Sequence, residues 1–337
     1  MSATARMAAP AQTTLRRRLL RSPDVLVVLT AIVLVLGLAA ANPTVLSLAN
    51  IFDLARNGLV SGVLALGVML VLISGGIDVS FTAIAAFAMY GTMKLALGTH
   101  LSMLALLAIG IGIGAALGMV NGVLIAGLQL PTLIVTLGTL SLFRGLLLTM
   151  LGTTYIVDLP PSVARFGDTL LVELKTGAVT YSLPASFLIL VGAAVLIFAL
   201  LRYTIWGRKA YALGGSEVAA QRLGISLLRT KLSVYVLAGA LAGLGGILHA
   251  VEVRIANPFD LVGTELNVIA AVVLGGARIT GGYGTVWGTM VGVFLVTLIN
   301  DSLLLMGVPS YWEKVVVGAL IIVGTGLPIL LRSGRWA

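Results

Sequence analysis

The feature that most constrains this chain is a stretch of 43 consecutive residues, 101–143, that contains no charged side chain. A helix needs about 20 apolar residues to cross the hydrocarbon core of a bilayer, so this stretch is long enough for two crossings. Pro131 divides it, because a proline ends one helix and suits the first turn of the next. The stretch therefore predicts two membrane spans, at residues 101–126 and 131–151.

Further long apolar segments occur along the rest of the chain. Hydrophobic residues make up 59% of the sequence and charged residues only 10%, whereas about 25% of an ordinary soluble domain is charged. The third and eighth uncharged segments are the shortest, and short or broken segments are tolerated only inside a helix bundle. The segments predict an all-α integral membrane protein with about ten transmembrane helices, at residues 25–41, 59–77, 81–93, 101–126, 131–151, 184–201, 232–251, 266–276, 286–305 and 315–331.

Basic residues indicate which loops face the cytoplasm. The formal net charge is +9, and basic side chains gather in the N-terminal tail, in the loop at residues 202–231 and at the C-terminus, as cytoplasmic segments do under the positive-inside rule. We therefore expect cytoplasmic tails at residues 1–22 and 333–337, with one transmembrane domain, residues 23–332, between them. The loop at residues 152–183 falls outside, where it has room for a short helix or strand. Since topology accounts for the positive charge, no nucleic-acid partner is expected.

The cytoplasmic loop contains a predicted helix of about two turns. Ser216 can serve as its N-cap, Glu217 suits the positive end of the helix dipole, and Gly224 is a natural stop. Small side chains let a partner surface approach closely, so a docking element is favoured over a helix that lies on lipid, for which the apolar face is too small. The candidate docking residues are Ser216, Glu217, Ala219, Ala220, Arg222, Leu223 and Gly224.

Four segments together resemble a known family. Residues 214–225 (GGSEVAAQRLGI) are similar to the EAA…G loop of ABC-importer permeases, and residues 74–80 (SGGIDVS) to a GGIDLS signature. Residues 130–139 (LPTLIVTLGT), continuing to Phe143-Arg144-Gly145, and residues 275–289 (GGARITGGYGTVWGT) resemble two further segments of the ribose-type monosaccharide permeases of bacteria. The segments occur in family order over nearly the whole chain. The departures, which bear on the substrate, are Val218, Phe81-Thr82 and Ala277-Arg278.

The resemblance implies a type II-like ABC importer permease of the bacterial cytoplasmic (inner) membrane, embedded in the lipid bilayer. Two copies, or this chain and a paralogue, would form the pathway. A separate ATPase, often with tandem nucleotide-binding domains, would bind ATP and Mg and hydrolyse ATP, with the docking helix coupling its closure to the pore. An external binding protein would deliver a monosaccharide, such as a ribose-like pentose or a hexose. The chain itself would be no enzyme and need no cofactor, and it lacks the G-x-x-x-x-G-K-[ST] pattern that cradles phosphates.

Polar residues inside the predicted spans are the candidates for the translocation pathway, because sugar hydroxyls need donors and acceptors. Hydrogen bonding between helices is the alternative role for the neutral ones. Arg144 is either a gate residue or a tie that holds the bundle, and Asp78 is favoured as a cap of the next helix, with Ser80 helping. Asp53 and Arg56, one turn apart, are expected to pair locally. The candidates are Asn57, Asp78, Asn121, Thr136, Thr139, Arg144 and Asn267, with Asn300 as a further one.

Other classes of function remain as alternatives. An ABC permease for nucleosides or a sugar-like signalling molecule fits the same motifs. An ion-coupled secondary transporter would carry several acids within its spans, and an intramembrane enzyme would show paired carboxylates or a metal cluster. Most of the 12 acids lie in loops or at span ends, and His100 and His249 have no partners at metal-ligand spacing. The Gly110-Ile-Gly112-Ile-Gly114 stretch lies inside an apolar span, so it predicts helix packing and not a dinucleotide loop.

Overall fold

The computed structural model describes residues 32, 35–40, 42–176, 179–309, 312, 314–316, 318–319 and 322. The predicted tails at residues 1–22 and 333–337, and most of the first and tenth predicted spans, lie outside the described residues. A 3-10 turn, Pro43–Leu46, precedes eleven α-helices and two strands in the described part of the chain: α1 Leu48–Ile73, α2 Phe81–Ala96, α3 Met103–Gly122, α4 Thr132–Leu146, α5 Pro161–Asp168, β1 Leu170–Thr176, β2 Val179–Pro184, α6 Phe187–Tyr203, α7 Ile205–Gly215, α8 Glu217–Arg222, α9 Leu227–Val253, α10 Glu265–Leu274 and α11 Val286–Leu305.

Several of the helices begin at a hydroxyl side chain that caps them. Ser47, Ser102, Ser226 and Thr285 each accept a hydrogen bond from a backbone N–H three residues further on, at the starts of α1, α3, α9 and α11. Such caps satisfy one of the four N–H groups that a helix start leaves without a partner. One π-helical turn, Val123–Gly127, extends α3, and another, Leu147–Leu151, extends α4.

Eight of the ten predicted spans coincide with helices, although the total of ten is not established. Among the described residues, five helices are long and apolar enough to cross a membrane: α1, α9 and α11, and α3 and α4 with their π turns. The pair α6 and α7, bent by 77°, makes a sixth if it is counted as one span. The third and eighth predicted spans are the short helices α2 and α10, of 16 and 10 residues. At 1.5 Å per residue they are about 24 and 15 Å long, short of a bilayer core of about 30 Å.

The predicted starts of two spans are wrong by five residues or more, the second span ends at Ile73 and not at residue 77, and one predicted loop is wrong. α1 begins at Leu48 and not at residue 59, because the helix also carries Asp53 and Arg56 in its first turns, which the uncharged predicted span left out. α9 begins at Leu227 and not at residue 232, so it includes Lys231. Within the predicted loop at residues 202–231, α7 is an additional helix, and its buried face is formed by Gly207, Ala210 and Leu213.

The core of the bundle is built around α1 and α9. In the most apolar window of each of these two helices 78% of the residues are buried, against 22% in α3 and 28% in α4. Close backbone contact joins α9 to α3: a Cβ on Gly114 would lie 2.8 Å from the backbone N of Gly243, and one on Gly118 would lie 3.0 Å from the Cα of Gly239. The prediction that the glycines at residues 110–114 serve helix packing is confirmed for Gly110 and Gly114; nothing lies within 4 Å of a Cβ on Gly112.

The segment at residues 152–183 contains both a helix and a strand pair, where one or the other was expected. α5 is followed by the antiparallel hairpin of β1 and β2, in which Leu174 is paired with Tyr181. The Tyr181 ring lies 6.1 Å from that of Phe52 near the start of α1. α1 therefore runs from this end of the bundle, which we call the hairpin end, to the end where α8 lies, which we call the α8 end.

Candidate functional site

The candidate docking helix is α8, Glu217–Arg222. The Oγ of Ser216 accepts from the backbone N of Ala219 at 3.2 Å, and Glu217 stands in the first turn, so the predicted helix and its cap are confirmed. Gly224 follows in the left-handed region, with φ of 76°. Ala220 is buried, whereas Ser216, Glu217, Ala219, Arg222, Leu223 and Gly224 are exposed.

The exposed face of α8 is partly apolar. Val218 is 61% exposed and Leu223 is 77% exposed. On the other face, Glu217 Oε1 lies 2.7 Å from Nζ of Lys231 on α9. The helix is therefore held against the bundle through Ala220 and Glu217, while Val218 and Leu223 are exposed.

Four glycines connect α8 to the bundle, and we call Gly75, Gly214, Gly281 and Gly282 the glycine junction. A Cβ on Gly214, at the end of α7, would clash with the backbone oxygen of Ile73 and lie 2.6 Å from the backbone N of Gly282. The backbone N of Gly282 donates to the oxygen of Ile73 at 3.0 Å. Gly75, Gly281 and Gly282 have φ of 85°, 87° and 74°, a region that glycine enters without strain. The junction thus brings together three of the segments on which the family resemblance rests.

The loop between α1 and α2 is a buried polar network beside this junction. Asp78, only 3% exposed, accepts through Oδ1 from the backbone N and the Oγ of Ser80 at 2.7 Å each. Asn121 Nδ2 donates to the same Oγ at 2.7 Å. Asp78 therefore orders Ser80, the residue that precedes α2, as the predicted capping role requires. The predicted help from Ser80 is wrong, because its side chain makes no capping hydrogen bond to α2.

Residues 130–139, the fourth segment that resembles the family, hold the loop between α1 and α2 through two hydrogen bonds. The backbone N of Ile77 donates to Oγ1 of Thr132 at 3.2 Å, and Oγ1 of Thr136 donates to the oxygen of Ile77 at 3.2 Å. Thr139 bonds within its own helix, to the oxygen of Thr136 at 3.4 Å. Asp78, Asn121, Thr136 and Thr139 are thus buried structural contacts in this chain, and none of them lines the large cavity described next.

A cavity of about 420 Å³ lies between α1, α9, α10 and α11 and extends to Arg56 and Glu252 on the side of the hairpin end. Two predicted pathway residues, Asn57 and Asn267, line it together with Asn300. The other lining residues mix polar and apolar side chains: Arg56, Val60, Ser61, Leu64, His249, Glu252, Val253, Leu261, Thr264, Val268, Ala271, Val293, Val296, Thr297 and Asp301.

Polar contacts join distant helices across the cavity wall. Asn57 Nδ2 on α1 donates to Oδ2 of Asp301 on α11 at 3.0 Å. Arg56 Nε donates to Oε2 of Glu252 on α9 at 3.0 Å, so the expected pairing of Arg56 with Asp53 is wrong. The other carboxylate oxygen of Glu252 accepts from Ser186 at 2.7 Å. The side chain of Glu252 is only 11% exposed, whereas Asp53 is exposed. Glu252 is therefore the less hydrated partner for Arg56.

Arg144 lies apart from both regions. It occupies the last turn of α4 and its side chain is exposed. Among the described residues no hydrogen bond or ion pair reaches the side chain of Arg144, so the described part of this chain does not use that side chain to tie the helices together. Its role as a gate stays a prediction.

Sequence reasoning missed Arg56, Ser61, His249, Glu252 and Asp301 as cavity residues. A usable signal was present on α9, where His249 and Glu252 are three apart and therefore share a face. His249 Nε2 lies 3.1 Å from Oδ2 of Asp260. Within the described ranges, no group of three His, Cys, Asp or Glu side chains could hold a metal ion.

Comparison with known proteins gives a family and several similar chains. Residues 50–324 match the family described as "Branched-chain amino acid transport system / permease component". The ribose import permease protein RbsC of Bacillus subtilis (strain 168) is 36% identical over 299 residues, which cover 86% of this chain and 88% of the relative. The L-arabinose ABC transporter permease protein AraH of Azospirillum brasilense is 34% identical over 315 residues, covering 92% and 89%.

A third similar chain is named for a different solute. The autoinducer 2 import system permease protein LsrC of Enterobacter sp. (strain 638) is 31% identical over 319 residues, which cover 95% of this chain and 89% of the relative. No solved structure matches. These similarities extend over the helices that form both the glycine junction and the cavity.

Proposed function

This chain belongs to the permease-component family that its residues 50–324 match, and from that premise we propose that it is the membrane-spanning subunit of an ATP-driven importer for a monosaccharide. It is a permease subunit of the inner membrane and not an enzyme. Two of its relatives are named for ribose and arabinose, which supports a pentose or a related sugar as the solute.

The observation that carries the proposal is the exposed docking helix α8. A capped helix with six exposed docking residues stands on a junction made of backbone contacts. Because close backbone contacts leave little room for independent movement, a push on α8 would be passed to the α1–α2 loop and to the loop that precedes α11. Such a connection is what a subunit driven by a separate ATPase needs.

The proposal implies the following assembly. A separate ATPase, with tandem nucleotide-binding domains that hold ATP and Mg, contacts α8; an external sugar-binding protein contacts the hairpin end; and a second permease copy or a paralogue completes the pathway. The α8 end then faces the cytoplasm, as do the tails at residues 1–22 and 333–337 on either side of the transmembrane domain at residues 23–332. The basic residues near α8 support this orientation.

A sugar-like signalling molecule is the second candidate solute. The autoinducer 2 permease among the relatives supports it, since its alignment covers 95% of this chain. Both candidates share the ATP-driven mechanism, so the solute and the energy source are tested separately.

The experiment is reconstitution of the full chain with its ATPase in liposomes. We expect the ATPase to co-purify in mild detergent and uptake of D-ribose, L-arabinose or autoinducer 2 to require ATP and the external binding protein. Uptake that follows an ion gradient and ignores ATP would refute the importer. Which of the three solutes is accumulated distinguishes the monosaccharide from the signalling molecule.

A further inference from the structure

We propose that the bend between α6 and α7, residues 202–209, binds the headgroup of an anionic phospholipid. We call this bend the elbow. It carries three exposed basic side chains, Arg202, Arg208 and Lys209, which contact the phosphate. The elbow contains none of the candidate docking residues of α8 and none of the residues that line the cavity. The inference therefore goes beyond the proposed function, and it does not depend on which solute is carried or on the energy source.

Local contacts fix the elbow. α7 leaves α6 at an angle of 77°. Thr204 Oγ1 donates to the oxygen of Leu200 at 2.6 Å and accepts from the backbone N of Gly207 at 3.1 Å, so it caps α7. A Cβ on Gly207 would lie 2.6 Å from the oxygen of Leu200, so a side chain does not fit there. Trp206 Nε1 donates to Oγ of Ser233 on α9 at 2.7 Å. The backbone that carries the basic residues is therefore in place before a ligand arrives.

The elbow stands at the depth of the lipid headgroups. The predicted span at residues 184–201 ends one residue before Arg202, and a helix bent by 77° from a span lies close to the membrane plane. Tyr203 is exposed, and its ring stands edge-on to that of Phe198 with the centroids 6.1 Å apart. Tyr203 and Trp206 thus flank the bend, and aromatic side chains of these two types are enriched where a membrane meets water.

An exposed apolar stripe on α6 leads directly to the elbow. It consists of Leu188, Val191, Val195 and Phe198, which are all exposed. These residues recur every three or four positions and therefore share one face of the helix, and Arg202 follows four residues after Phe198 on the same face. An acyl chain that lies along the stripe brings its phosphate to Arg202. A soluble partner such as the ATPase would reach the basic side chains but not a stripe inside the predicted span, so this continuity favours a lipid.

The positive charge of the elbow is not neutralised by nearby acids. Residues 187–216 contain no Asp or Glu. Within the part of the chain that the structure describes, no hydrogen bond or ion pair engages the side chains of Arg202, Arg208 and Lys209. A guanidinium can bind a phosphate through two parallel hydrogen bonds, and the Lys ammonium adds a compact charge. An anionic headgroup would therefore satisfy three side chains that the chain itself leaves unpaired.

The chain allows a direct test because it contains no cysteine. Val195→Cys lies on the stripe, seven residues or about 10 Å from Arg202, and it carries a bimane fluorophore. The full chain is placed in phosphatidylcholine vesicles, and phosphatidylglycerol or phosphatidylcholine with brominated acyl chains is titrated in as the quencher. We expect brominated phosphatidylglycerol to bind about fivefold or more strongly, which is the effect of about one unpaired basic group at an anionic surface.

A second position serves as the matched control. Met119→Cys is exposed on α3, within the stretch at residues 101–143 that has no charged side chain. It should be quenched equally by the two brominated lipids. Equal quenching at Val195→Cys as well, or the same preference for phosphatidylglycerol at both positions, would overturn the proposal. Inorganic phosphate at matched ionic strength should leave the preference unchanged, whereas loss of the preference would make a free anion the ligand and not a lipid.

Charge removal assigns the preference to the elbow. In the labelled Val195→Cys chain, Arg202→Gln/Arg208→Gln/Lys209→Gln should abolish the preference for phosphatidylglycerol. Arg229→Gln, which removes an exposed charge at the start of α9, should retain it. A preference that survives the triple substitution rules out the site. If that triple variant also no longer co-purifies with the ATPase, the three side chains are an ATPase contact and not a lipid site.

Discussion

At the α8 end the packing is backbone against backbone, whereas at the hairpin end four helices separate around a cavity of about 420 Å³. Gly214, Gly281 and Gly282 leave no space for a side chain at the first end. At the second end, the side chains that meet are long and polar, such as Arg56 with Glu252. The difference suggests a division of roles: a stiff junction transmits movement, and an open, polar region accommodates solute.

The largest expected effect comes from adding one methyl group at the junction. Gly214→Ala would place a Cβ against the oxygen of Ile73 and 2.6 Å from the N of Gly282, and overpacking of this kind costs about 1–3 kcal/mol. We expect a lower melting temperature in detergent and loss of ATP-driven uptake. Gly215→Ala is the control, because nothing lies within 4 Å of a Cβ at that neighbouring position. Equal behaviour of the two variants would show that the junction is not stiff.

Reversing the charge on α8 tests whether the stiff end is a coupling element. In Glu217→Lys we expect ATP hydrolysis to continue in the reconstituted complex while uptake falls about tenfold, with membrane insertion intact. Loss of the half-exposed pair with Lys231 accounts for no more than about 1 kcal/mol of stability. The double variant Glu217→Lys/Lys231→Glu restores that pair, so uptake that also recovers would assign the effect to the pair and not to contact with the ATPase.

A substitution at the open end should change affinity and leave coupling alone. Asn57→Ala removes an amide from the cavity wall and leaves Asp301 without that donor, and an exposed hydrogen bond of this kind contributes about 0.5–1.5 kcal/mol. We expect the KM for uptake to rise about fivefold or more, with the ATP hydrolysed per solute unchanged. Ile51→Ala, on the same helix, exposed and not in the cavity wall, should behave like the unmodified chain. An unchanged KM in Asn57→Ala would remove this residue from the pathway.

The sequence predicts the two ends unequally well. The cap of α8 is a local feature, so Ser216 could be placed from its neighbours alone. The cavity depends on contacts such as Asn57 with Asp301, which are 244 residues apart, and no local pattern predicts them. Arg56 illustrates the limit: spacing favours Asp53, but the folded bundle brings Glu252 to 3.0 Å. Helix α7 was missed because its glycines resemble a loop, although Gly207, Ala210 and Leu213 recur at every third residue and form its buried face.

The smallest expected effect concerns the ion pair that joins α5 to the end of α9. Arg254, which follows α9 with φ of 64°, donates to Asp168 at 2.7 Å, and this bond raises the pKa of the guanidinium above its ordinary value. Both side chains are largely exposed, so Asp168→Asn should lower the unfolding free energy by about 0.5 kcal/mol or less, and by even less at high salt. Melting curves at two salt concentrations measure this. A markedly larger loss, or one accompanied by a changed uptake KM, would mean that α5 supports the cavity through α9 and that the open end is stiffer than its contacts indicate.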